Sequence, residues 1–124
     1  MHWMPLAIAA LLALAIIAIG LLYLLAPLTA ARGFGLPFPE GGPTIPWWLR
    51  LKGVRDITSG LVVLAMMMWS TPREVGIVLL VETFIALGDM SVILAAKGST
   101  KAALGMHGVT AAVMVATATL LILG

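Results

Sequence analysis

Five ionisable residues interrupt stretches that are otherwise apolar: Arg55, Asp56, Glu82, Asp89 and His107. A charged side chain at the centre of a membrane helix costs on the order of 2.5 to 3.5 kcal/mol on the insertion scale, so several of them should face one another and not lipid. Asp56, Glu82 and Asp89 outnumber Arg55 even when His107 is protonated, so one carboxyl is expected to hold its proton. Glu82, furthest from water, is the expected acid. Arg55 should pair with Asp56 or Asp89. Adjacent helical residues diverge by about 100°, which makes Asp89, across the bundle, the better partner. An ionised carboxylate held by Arg55 could take a proton or orient water while protonated Glu82 or His107 donates one. The same groups also fit a purely structural role, because buried ion pairs fix helix register and a lone His can bond a carbonyl.

Hydroxyls are placed to join this centre. Thr58 and Ser59 follow Arg55 by about one turn, and Thr110 follows His107 by one turn. Glu82 and Asp89 are seven residues apart, which puts them on nearly the same helix face.

The elements that must carry these groups are greasy. Hydrophobic residues form 62% of the 124-residue chain and charged residues 10%, with a mean hydropathy of +1.16. Such a chain is a membrane protein. The net charge of +2 forms no basic stripe and gives no sign of nucleic-acid binding; it reads as a topology signal. The absence of Cys excludes disulfides, thiolate metal sites and thiol redox chemistry.

The fold expected is all-α, a single domain over residues 1–124 built as a four-transmembrane-helix bundle with helices at about 4–26, 47–69, 72–96 and 102–123. The first lacks the basic start of a signal peptide and is expected to be retained. The segment PLTAARGFGLPFPEGGPTIP, residues 27–46, is rich in Gly and Pro and is expected to be a long loop against the interface or across the bundle. Trp47, Trp48 and Trp69 lie near the two ends of the second helix, as interfacial side chains do. Arg32, Arg50, Lys52, Lys97 and Lys101 fall on one side, and Arg73 with Glu74 on the other, so the positive-inside rule places both termini outside. Gly53 and Gly60 on the second helix, and Gly108, Ala112 and Ala116 on the fourth, should allow close packing. Met66, Met67 and Met68 point in different directions and read as packing, not as a metal site.

The stretches RGFGLP (from Arg32), KGVRDITSGL (from Lys52), LGDMSVIL (from Leu87) and GSTKAALGMHGVTAAVM (from Gly98) together resemble a family of small membrane proteins, domain-of-unknown-function family 4267. The resemblance covers nearly the whole chain. It implies four helices and marks Arg55, Asp56, Asp89 and His107 as the family's polar positions, and it carries no activity.

Three functions compete. The first is a cofactor-free intramembrane acid–base enzyme, an isomerase, cyclase or epoxide-opening hydrolase acting on a lipophilic small molecule. Its catalytic residues would be Asp89, Asp56, Arg55, Glu82 and His107. Thr58, Ser59 and Thr110, with Phe34 and Phe38 from a lid at residues 27–46, would bind the substrate. The second is a proton-coupled transporter or exporter subunit working as a homodimer around Glu82. The third is a structural membrane protein. No metal is expected, because Arg55 would repel a cation at Asp56 and Asp89; two-His haem ligation fails because His2 and His107 lie at opposite depths. The expected surroundings are the lipid bilayer of a bacterial inner (cytoplasmic) membrane.

Overall fold

A computed structural model describes residues 2–38 and 40–124, and the described chain contains helices and no strand. Five helices follow one another: α1 (Trp3–Leu25), α2 (Pro27–Phe34), α3 (Ile45–Trp69), α4 (Pro72–Ala95) and α5 (Thr100–Leu123). Three of them, α1, α4 and α5, are long and apolar enough to cross a membrane. The long helix α3 matches them in length but carries Arg50, Lys52, Arg55 and Asp56 in its first half.

The expectation of a loop throughout residues 27–46 is corrected. Pro27 stands at the first position of α2, where its fixed φ suits a helix and its missing N–H is no loss. The residues that break helices start only at Gly33. Gly35, at φ +113°, ends α2 in the left-handed region.

Two antiparallel pairs make the bundle. In α1 and α3, Gly20 and Gly53 bring the backbones together: a Cβ at Gly53 would lie 2.6 Å from the Gly20 carbonyl oxygen. Two turns along, a Cβ at Gly60 would lie 2.6 Å from the Ala13 carbonyl oxygen. In α4 and α5 the close approach is at Gly76, against Leu121 and Ala118. Ala112 and Ala116, expected at a packing face, are exposed; α5 packs through Ala111, Thr117, Ala118 and Leu121.

The pairs join in an apolar core at the end of the bundle that carries both termini, where Ala9, Ala13, Val63, Val75, Leu79 and Leu121 are buried together. Met66 and Met67 pack against this core, while Met68 is 72% exposed. At the same end, a reciprocal capping box starts α4: Thr71 Oγ1 accepts from the Glu74 N–H, and the Glu74 carboxylate accepts from the Thr71 N–H at 2.9 Å.

The opposite end is closed by α2. The Ser99 N–H donates to the Gly35 carbonyl at 2.7 Å, which ties the end of α2 to the turn between α4 and α5. Gly98 lies directly beneath Gly35, too close for a side chain. Arg50 Nε donates to the Leu24 carbonyl at 3.1 Å, satisfying one of the open carbonyls at the end of α1.

Candidate functional site

Between the two helix pairs, under α2, lies a cavity of about 320 Å³. Its floor is the edge of the core, Ala13, Val63 and Leu79, and its walls include Leu12, Ile16 and Met114. Its far end is polar. Tyr23, Phe34, Lys52, Asp89 and His107 meet there, contributed by five different helices. The helices run antiparallel, so the last turns of α1 and α4 and the first turns of α3 and α5 reach the same depth, beneath α2.

His107 is aimed by an irregularity. Residues Ala103–Gly108 form a π-helical stretch within α5, and the Val109 N–H reaches back to the Leu104 carbonyl. Such widened turns are frequent at functional sites because they rotate one side chain out of the regular register. His107 Nε2 lies 2.9 Å from the Phe34 carbonyl oxygen, and the two rings stand 4.6 Å apart. A carbonyl only accepts, so Nε2 carries the hydrogen. Nδ1 is thereby left facing Asp89 Oδ2 at 3.8 Å. The gap exceeds the usual hydrogen-bond length of about 2.7 to 3.2 Å, so the two groups face each other without a direct hydrogen bond.

Lys52 occupies the place expected for Arg55. Its ammonium donates to Asp56 Oδ2 at 2.7 Å and stands over the rings of Tyr23 at 4.4 Å and Phe34 at 4.8 Å. Asp56 is 7% exposed and reaches the cavity only through this lysine. Asp56 follows Lys52 by four positions, which puts them on one face, together with Ser59, Gly60 and Val63. Arg55 is turned away by about 100° from Asp56. It is exposed and, among the described residues, forms no ion pair with Asp56 or Asp89. Arg55→Gln is therefore expected to change the unfolding free energy by no more than about 0.5 kcal/mol, the range of ordinary surface substitutions, as measured by unfolding in mixed micelles.

The other expected site residues divide. Glu82 lines the cavity on the α4 face that also carries Ala86 and Asp89. Ser59 and Thr110 line it too, with their hydroxyls donating to the Asp56 and Met106 carbonyls. Thr58 is exposed and bonds back to the Val54 carbonyl. Phe34 lines the cavity, whereas Phe38 lies outside it under the Arg32 guanidinium at 4.9 Å. Lys52 and Tyr23 are the residues that the sequence reading missed. By sequence Lys52 counts among the basic residues of one membrane side. Its spacing from Asp56 was the available signal. Tyr23 is a lone aromatic hydroxyl at the end of an uncharged helix, 2% exposed, and nothing local marks it.

No curated protein and no solved structure matches this sequence. The model of one family does match, over residues 13–121, nearly the whole chain and every helix that lines the cavity. The chain belongs to that family, the domain of unknown function DUF4267.

Proposed function

We propose that this protein is an intramembrane acid–base enzyme that takes a lipophilic small molecule into the cavity and transfers a proton on it through Asp89 and His107. The observation that carries this reading is the coincidence of an apolar cavity of about 320 Å³, within the size range of small-molecule sites, with a carboxyl–imidazole pair held 3.8 Å apart at its polar end. His107 is fixed by its Nε2 bond, so Nδ1 has one orientation for giving or taking the proton. Lys52 offers a positive charge beside the pair, where it would stabilise negative charge developing on a substrate oxygen. Isomerisation, cyclisation and epoxide opening are reactions that an acid–base pair of this kind can carry without a cofactor.

In the same proposal α3 is the fourth span and both termini lie outside, in a bacterial inner membrane. Support comes from the end of the bundle that carries Arg32, Arg50, Lys97 and Lys101, which α2 and the turn after α4 bring to one side. Arg55 would then extend its stem along the helix toward that basic side.

The test is to purify wild type and Asp89→Asn in mild detergent, extract both, and compare co-purifying small molecules by mass spectrometry. A lipophilic compound held by one protein and absent or chemically altered in the other is the expected result. If neither holds anything and the variant merely melts earlier, the polar end is structural. A second reading, a proton-coupled transporter, is favoured by one observation: Glu82 lines the cavity and, among the described residues, has no hydrogen-bond or ion-pair partner. A homodimer in lipid and a passage open to each side in turn would support it.

A further inference from the structure

Three carboxyls lie in or beside the cavity, and two of them face a nitrogen. Asp56 accepts from the Lys52 ammonium at 2.7 Å, and Asp89 faces His107 Nδ1 at 3.8 Å. Among the described residues no hydrogen bond or ion pair reaches Glu82. The groups around it do not supply a free positive charge. From α1 come Leu12, Ile16 and Tyr23, and from α2 Ala30, Gly33 and Phe34, none of them charged. From α3 comes Lys52, already bound to Asp56 and seated between two rings. From α5 come His107, committed to the Phe34 carbonyl and Asp89, and Thr110, whose hydroxyl is used by the Met106 carbonyl. On α4 itself the nearest charge is Asp89, about two turns or roughly 10 Å along the axis.

This arrangement decides the charge of the occupant. An anionic lipophile would meet Glu82 and Asp89 with no unpaired cation to receive it. A neutral one would leave Glu82 as it is. A cation would pair with Glu82, the cavity carboxyl that faces no nitrogen among the described residues, in surroundings of low dielectric where such a pair is strong.

We infer that the cavity takes an amphipathic organic cation, a protonated or quaternary amine on an apolar body, whose charge pairs with Glu82 in exchange for a proton. The inference rests on the cavity being a ligand site, as the proposed function requires. An amine anchored at Glu82 places the part of the molecule roughly 10 Å away beside Asp89 and His107. Glu82 is then the anchor, and the pair at the polar end is where the substrate reacts.

The test uses the full chain in lipid nanodiscs, with decyltrimethylammonium as the cationic probe and decanol as its neutral counterpart of equal chain length. Calorimetry in buffers of different ionisation enthalpy reads affinity and proton release together. For wild type, the cation is expected to bind at least about tenfold more tightly than decanol, with release of one proton and an affinity that rises with pH by up to about tenfold per unit. Glu82→Gln should lose at least tenfold in cation affinity together with the proton release, while Glu82→Asp, which keeps the carboxyl, should retain the release; circular dichroism checks that both variants fold. Equal affinity for decanol and the cation, or full cation affinity in a folded Glu82→Gln, overturns the inference and leaves the cavity a ligand site. Binding of neither probe by wild type overturns the inference and the proposed function together.

Discussion

Replacing Gly60 with Leu is expected to lower the stability of the bundle by about 3 kcal/mol or more, the upper range for overpacking a close contact. A Cβ at that position would lie 2.6 Å from the Ala13 carbonyl oxygen and 2.6 Å from Ile17 Cγ1. Neither neighbour can retreat cheaply. The first is backbone, and the second belongs to a helix held two turns away by the Gly20–Gly53 approach. The variant must therefore push α1 from α3, which also widens the cavity that Gly60 lines. Gly88→Ala is the matched control on α4. Nothing stands within 4 Å of its added carbon, and the better helix propensity of Ala should stabilise by up to about 1 kcal/mol. Unfolding of both in mixed micelles, followed by tryptophan fluorescence, reads the contrast. Equal stabilities would mean that the two helices do not approach as described.

Asp56→Ala is expected to cost about 2 to 3 kcal/mol, somewhat less than the 3 to 5 kcal/mol typical of breaking a fully buried pair. The reduction follows from Lys52, whose side chain is 29% exposed and can draw on water at the edge of the bundle. The loss comes mainly from leaving an ammonium against Tyr23 and Phe34 without its carboxylate. Adding Lys52→Met to Asp56→Ala should recover most of the stability, because an apolar side chain suits the same surroundings. An Asp56→Ala variant as stable as wild type, or a double variant no better than the single one, would contradict this account of the pair. Since Lys52 also stands over Phe34, the single variant should loosen α2, visible as faster amide exchange around Phe34 and Gly35.

Long-range geometry separates what could be read in advance from what could not. The helices α1, α3, α4 and α5 follow from local signals: long apolar stretches, free of charge in α1, Pro at the starts of α3 and α4, and glycine and polar residues between them. The Glu82–Asp89 face was equally legible, because a seven-residue spacing on one helix decides it. The helix α2 was hidden by a composition rich in Gly and Pro, in which Pro27 starts a helix instead of ending one. Arg55 was misplaced because the sequence shows which residues are charged and does not show which way a helix is rotated. The glycine contacts of Gly53 and Gly60 set that rotation, turning Lys52 and Asp56 inward and Arg55 outward.

By itself the amino-acid order determined a helical protein with helices long and apolar enough to cross a membrane, the family to which it belongs, and a set of ionisable groups that would be costly to place in lipid. Only the tertiary structure decided which of those groups meet. The π-helical stretch turns His107 toward Phe34 and Asp89, and the antiparallel pairing brings Tyr23 to Lys52 from 29 positions away in the chain. The physical reason is the same throughout. Burial and local hydrogen bonding act on neighbours along the chain, whereas the partner of a buried charge is settled by how closely two backbones can approach.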